Sequence, residues 1–97
     1  MKEGEFIYIK WVDSYGVLSG WVDLSEYKPN LLIIESVGRV IEANDEVVAI
    51  AHNYSDVTEN TPQQANGIIV IPKRAILETI SFSSYLGLES MPMQQQP

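Results

Sequence analysis

The chain has 97 residues, of which 13 are acidic, 6 are basic and 45% are hydrophobic, and its formal net charge at pH 7 is -7. This length and hydrophobic content suffice for one domain with a modest core. The negative charge opposes binding to phosphate backbones, and the absence of cysteine excludes disulfides, thiolate zinc sites and cysteine nucleophiles.

The sequence predicts a protein without a membrane segment. The N-terminal residues are charged and lack the apolar stretch of a signal peptide, and no apolar run approaches the roughly 20 residues that cross a bilayer. We therefore expect no membrane contact and a cytoplasmic location. Residues 84–97 show no packing pattern, so we expect a disordered tail after a β-domain at residues 1–83.

The first predicted strand covers Glu5 to Val12. Its side chains alternate with period two, which indicates a half-buried strand that points Ile7, Ile9 and Trp11 inward. The Asp-Ser-Tyr-Gly sequence at 13–16 predicts a turn, since Asp and Ser cap local N–H groups and Gly permits positive φ.

The segment after this turn has a weaker pattern. Residues 17–18 predict a short additional strand. Asp23 is expected to cap a single helical turn that ends before Pro29, because the residue before a proline is driven out of the helical region.

A long hairpin occupies the middle of the chain. Leu31 to Ala43 predicts one strand that is bent near Gly38, and Glu46 to Tyr54 predicts its antiparallel partner. Asn44 and Asp45 are expected to connect them through left-handed backbone, as two-residue hairpins demand.

The last predicted strands lie on either side of Pro72. Residues 55–66 are polar and predict an exposed loop, after which Gly67 begins a strand that Pro72 ends. Lys73 to Ala75 then predicts a short 3-10 turn before a final strand. The elements together predict an all-β fold, a small and strongly bent barrel of SH3-like or Sm-like type with five to six strands.

Motifs for catalysis are nearly absent. There is no glycine-rich phosphate loop, no nucleophile elbow and no metal-binding spacing. His52 is the sole histidine, and with Ser14 and Asp13 or Asp56 it would be the only source of a catalytic triad. We assign no catalytic, cofactor-binding or metal-binding residue and expect a protein that is not an enzyme.

Two features point to binding of another protein. Tyr15 and Trp21 flank a glycine-containing turn and form the candidate interaction surface. The strands at 6–12 and 68–71 carry few of the charges and prolines that protect sheet edges, so we expect a homo-oligomer or an edge kept for strand addition by a partner.

One group of sequence elements resembles small phage- and prophage-encoded proteins of unassigned function. The resemblance implies a genomic context and no activity. It spans roughly Phe6 to Phe82 and rests on WVDS at 11–14, GW at 20–21, SVG at 36–38 and IPKRAI at 71–76.

A second resemblance is to the two signature segments of Sm-like RNA-binding proteins. Residues 38–45 and 70–76 are similar to these segments, and the resemblance implies RNA contact by Lys73 and Arg74 in the short basic turn. The chain departs from the family in lacking the N-terminal helix and in carrying Pro72 where bacterial members usually have an aromatic residue. Its net negative charge also opposes RNA binding.

These observations predict a non-catalytic, phage-derived accessory or protein-interaction module. An Sm-like RNA binder that uses Lys73 and Arg74 is the alternative, and a small hydrolase without an identifiable site is the third candidate. We expect a protein partner, with nucleic acid and cofactors excluded from the preferred hypothesis.

Overall fold

Five antiparallel strands form one sheet in the computed structural model, which describes residues 1–14 and 20–82. The predicted extra strand at 17–18 and the predicted tail at 84–97 lie outside the described residues. The all-β prediction is confirmed, as is the 3-10 turn before the last strand. The elements are β1 (Phe6–Asp13), β2 (Leu32–Ala43), β3 (Val47–Ser55), β4 (Gln64–Pro72), the 3-10 turn (Lys73–Ala75) and β5 (Ile76–Ser81).

The sheet does not close into a barrel. The strand order is β4-β3-β2-β1-β5, so β4 and β5 lie at opposite edges and share no ladder. The predicted barrel is therefore wrong, and the described strands form an open sheet. Only the 3-10 turn joins the two edge strands, so the sheet must curl until the end of β4 lies near the start of β5. Pro72 ends β4 at this point because it has no N–H to donate.

One core lies on the inner face of the curled sheet. The predicted inward side chains of β1 are confirmed, since Ile7, Ile9 and Trp11 are at most 7% exposed. The Trp11 Nε1–H donates a hydrogen bond of 3.0 Å to Ser36 Oγ, which satisfies the one polar group of this side chain. The other buried members of the cluster are Val40, Val48, Ile50 and Ile71.

β1 is an internal strand rather than an edge. It pairs with β2 on one side and with β5 on the other. The prediction that residues 6–12 leave unpaired backbone groups is wrong, because β5 returns from the far end of the chain to cover them. For residues 68–71 the prediction of an edge strand agrees with the fold, since these residues belong to β4 at one edge of the sheet.

β2 changes its partner half-way along its length. Residues 32–39 pair with β1, whereas residues 39–43 pair with β3, so the two ladders overlap only at Arg39. The ladder with β3 also contains a register shift between Val40 and Glu42. This division places Gly38 at the junction of the two halves of the sheet, where the bend was predicted.

The β2–β3 hairpin is confirmed, but its turn is not of the predicted kind. No described residue other than glycine has a positive φ, so the connection avoids left-handed backbone at Asn44 and Asp45. Asn44 Oδ1 instead accepts hydrogen bonds from the N–H groups of Glu46 and Val47, at 2.8 and 3.0 Å. The asparagine side chain therefore holds the turn in the way that an Asx turn does.

β4 begins earlier than the sequence predicts. Gln64 to Asn66 belong to the strand because β3 extends to Ser55 and supplies partners for them. The exposed loop is accordingly residues 56–63, shorter than the predicted 55–66. The polar sequence of residues 64–66 led to the prediction of a loop, although these residues form a strand that is paired with β3 on one side only.

Candidate interaction surface

The outer side of β4 is the longer of the two sheet edges in the described part of the chain. β4 has nine residues and pairs with β3 along one side, and no described strand pairs with its other side. A strand in this position presents alternate N–H and C=O groups to solvent, which another strand can bind. Its length of about 30 Å exceeds that of β5, which has six residues.

β4 carries little of the usual protection of a sheet edge, and its one irregularity is Gly67, whose φ is 70°. Its sequence, QANGIIVIP, contains no Asp, Glu, Lys or Arg, and its only proline is the last residue. Ile68 and Val70 are 55% and 56% exposed on the outer face. Their cross-strand partners are Ala51 and Ala49. These side chains of β3 are small and apolar, so they do not cover Ile68 and Val70 on the outer face. We call the β4 backbone edge with Ile68 and Val70 the β4 edge.

β5, the other edge strand, is less suited to pairing. It is shorter, carries the charged Glu78, and shows a register shift where it meets Lys10 and Trp11 of β1. Charges and irregular pairing are features that discourage strand addition. The two edges of the sheet therefore differ in the protection that they carry.

The sequence-predicted surface at Tyr15 and Trp21 is placed only in part. Tyr15 lies outside the described residues. Trp21 is fully exposed in the long connection between β1 and β2. The same connection also exposes other large apolar side chains, namely Val22, Leu24, Tyr27 and Leu31.

Asp23 organises this connection. Its carboxylate accepts hydrogen bonds from the hydroxyl and the N–H of Ser25, at 2.7 and 3.0 Å, and these bonds lower the pKa of Asp23. The Asp23 carbonyl accepts bonds from the N–H groups of Glu26 and Tyr27, both at 3.1 Å. The predicted capped turn is thus formed, and it presents Trp21 and Leu24 to solvent.

The basic turn lies beside acidic residues. Lys73 N–H donates to the carbonyl of Glu46 at 2.8 Å, which ties the 3-10 turn to the β2–β3 hairpin. Asp45, Glu46 and Arg74 line one shallow cavity together with Val47 and Pro72. The two carboxylates offset the positive field of Arg74, which weakens this turn as an anion-binding site.

A buried arginine forms a site that the sequence analysis did not select. Arg39 is 8% exposed, and its guanidinium carbon lies 4.1 Å from the ring centroid of Tyr54 and 5.3 Å from that of Phe6. These distances are typical of cation–π contacts. The signal in the sequence is a lone arginine between Gly38 and Val40 in a strand that is otherwise largely apolar.

His52 lies far from Asp13 and Ser14, its partners in the hypothetical catalytic triad. Its neighbour Ala51 pairs with Arg39, and Arg39 pairs with Phe6 at the opposite end of β1 from Asp13. Asp13 lies seven positions after Phe6 along this strand, which is about 23 Å. Among residues 1–14 and 20–82 no group of three or more His, Asp or Glu side chains is arranged to hold a metal ion.

Comparisons with known proteins assign this chain to no family. No protein-family model matches the chain, and no curated protein or solved structure is significantly similar to it. Within the described residues, no helix is long and apolar enough to cross a membrane. The physical properties of the surface therefore carry the functional argument.

Proposed function

We propose that this chain is a non-catalytic protein-interaction module, encoded by a phage or prophage, that binds its partner through the β4 edge. The observation that carries the proposal is a nine-residue edge strand without a charged residue and with Ile68 and Val70 exposed beside it. Backbone hydrogen bonds along such an edge supply affinity, and alternate side chains supply specificity. No reaction is needed to explain these features.

The Trp21 connection supports the same kind of function. Trp21 and Leu24 expose large apolar surfaces on a turn that Asp23 holds in shape. Tryptophan is enriched among the residues that dominate binding energy at protein interfaces. We treat this connection as a second contact surface, to be separated from the β4 edge by mutation.

The RNA-binding alternative has less support. It relies on Lys73 and Arg74, and Arg74 shares its cavity with two carboxylates on a chain of net charge -7. Binding to a phosphate backbone depends on clustered positive charge, which this arrangement does not provide. A hydrolase function has still less support, because His52 is far from Asp13 along the sheet.

Comparative capture from cells of the native host tests the proposal. Purified wild-type chain is immobilised beside an edge variant, Val70→Lys, and a loop variant, Trp21→Ala. A lysine on the edge strand discourages pairing, so a specific partner should be retained by the wild type and lost by the edge variant. The captured protein is then purified and its binding to all three chains is measured by titration calorimetry.

A matched control separates the edge from a general effect of a new charge. Val37→Lys places lysine at a 51% exposed position on β2, where Val37 pairs with Tyr8 of β1 and lies away from the β4 edge, and this variant should bind like the wild type. Equal loss in both lysine variants would contradict an edge-mediated interaction. Loss in the Trp21 variant alone would move the binding site to the β1–β2 connection.

A further inference from the structure

We propose that the occupant of the β4 edge is a second copy of this chain, paired antiparallel about a two-fold axis to give a ten-stranded sheet. This inference rests on the proposed function and names its partner. A two-fold pairing is self-complementary, so one surface on each copy is enough to complete it.

Charge explains why two copies would meet at this edge. Each copy carries a formal charge of -7, so association is least opposed where the local charge is lowest. Neither β3 nor β4 contains an Asp, Glu, Lys or Arg residue, whereas β1, β2 and β5 each contain at least one. The β4 edge is therefore the side of the sheet where two copies meet with the least repulsion.

The antiparallel direction is favoured by the charges at the two ends of β4. The loop at 56–63 precedes the strand and carries Asp56 and Glu59, while Lys73 and Arg74 follow it. Antiparallel pairing separates the two acidic loops and sets each beside the basic turn of the other copy, where Asp45 and Glu46 offset part of the positive charge. Parallel pairing would set like charges together.

The geometry of antiparallel pairing also matches the side chains. Directly opposed residues lie on the same face of the sheet, so with the axis on Ile68 the two exposed Ile68 side chains would meet. Each Val70 would lie diagonal to the Ile68 of the other copy and opposite its Asn66. On the inner face, Ile69 and Ile71 would lie opposite Gly67 and Ala65 of the other copy, so no polar side chain would enter between the two cores. Full overlap of β4 with its copy centres the axis on Ile68, the middle residue of the strand.

The size of the contact predicts a modest affinity. One pair of edge strands buries less than the roughly 1,200 Å² that marks the low end of stable interfaces. We therefore expect a monomer–dimer equilibrium with a dissociation constant in the micromolar range, not an obligate dimer.

Sedimentation equilibrium of the purified full-length chain tests the proposal. The expected result is a mass that approaches twice the chain mass through the micromolar range. Val70→Lys should weaken dimerisation at least tenfold, and the control Val37→Lys should not change it. Circular dichroism and thermal unfolding show whether each variant is folded.

A charge swap tests the direction of pairing. Arg74→Glu alone should weaken the dimer at low ionic strength, because it sets two acidic groups together, and Glu59→Arg in the same chain should restore it. A restored dimer supports antiparallel pairing. Failure of the restoration, with both variants folded, would overturn that arrangement.

Cross-linking gives a readout that does not depend on a destabilising variant. The natural chain has no cysteine, so Ile68→Cys introduces a single thiol on the edge. Oxidation should convert this variant to a covalent dimer, whereas Val37→Cys should remain monomeric. No dimer from Ile68→Cys, Asn66→Cys or Val70→Cys would overturn the proposal.

Other outcomes separate this inference from the proposed function. A strict monomer whose edge still captures a different protein would overturn the two-fold dimer and leave the interaction module standing. Assemblies of three or more copies would indicate head-to-tail pairing and would also overturn it. A strict monomer that captures nothing would contradict both proposals.

Discussion

Gly38 lies so close to Ala51 that there is no room between them for a side chain. A Cβ atom added to Gly38 would lie 2.8 Å from the carbonyl oxygen of Ala51 and 3.3 Å from Ile50 Cβ. The φ of Gly38 is not positive, so the glycine is required by close packing of β2 against β3 and not by left-handed backbone.

Substitution of Gly38 should therefore destabilise the fold. We expect Gly38→Val to lower the free energy of unfolding by about 1 to 3 kcal/mol, because the obstructing atom belongs to the backbone and the strands must separate. Urea denaturation measures this change. Val37→Ala, at the neighbouring exposed position, is the control and should cost less than about 1 kcal/mol. Equal stability of wild type and Gly38→Val would refute the close contact.

The stacking of Arg39 on Tyr54 should be measurable as a coupling energy. A double-mutant cycle with Arg39→Ala and Tyr54→Ala should give a coupling of about 0.5 to 2 kcal/mol, since the guanidinium is largely desolvated. Arg39→Lys should recover only part of the loss, because an ammonium group cannot stack as a plane. Additive effects of the two alanine substitutions would show that the rings and the cation do not interact.

Tyr8 should make stability depend on alkaline pH. Its hydroxyl donates a hydrogen bond of 2.7 Å to Glu35 Oε1, and this bond is the main reason that the pKa of Tyr8 is raised to about 12. In the unfolded chain the pKa of tyrosine is about 10. The stabilisation is therefore fully present below about pH 10 and is lost as the pH rises toward 12.

Tyr8→Phe isolates this contribution. Thermal unfolding of the two chains is compared at about pH 8 and about pH 11, and the wild type should lose more stability than the variant over that interval. Because other titrating groups are common to both chains, their effects cancel in the comparison. Parallel pH profiles would show that Tyr8 titrates with the same pKa in the folded and unfolded states.

Nucleic acid should bind weakly or not at all. With a net charge of -7 and two carboxylates beside Arg74, we expect no sub-micromolar binding of duplex DNA or single-stranded RNA at physiological salt. Fluorescence anisotropy of labelled oligonucleotides measures this. Tight, steeply salt-dependent binding that is abolished by Lys73→Ala with Arg74→Ala would favour the RNA-binding alternative instead.

Local patterns in the sequence determined most of the strands. The period-two alternation of β1 identified Ile7, Ile9 and Trp11 as core residues, and Pro72 marked the end of β4 because proline cannot donate a ladder hydrogen bond. These features depend only on neighbouring residues, so they can be read without the fold. The same is true of the net charge and of the uncharged composition of β3 and β4.

The tertiary structure alone decided which strands lie at the edges. β1 is internal because β5, more than 60 residues later, pairs with it, and no local pattern reports a contact over that separation. The cation–π contacts of Arg39 with Phe6 and Tyr54 likewise join three distant parts of the chain. Strand pairing is a non-local interaction, so the sequence indicates which segments are strands while the order of the sheet decides that β4 lies at an edge and β1 does not.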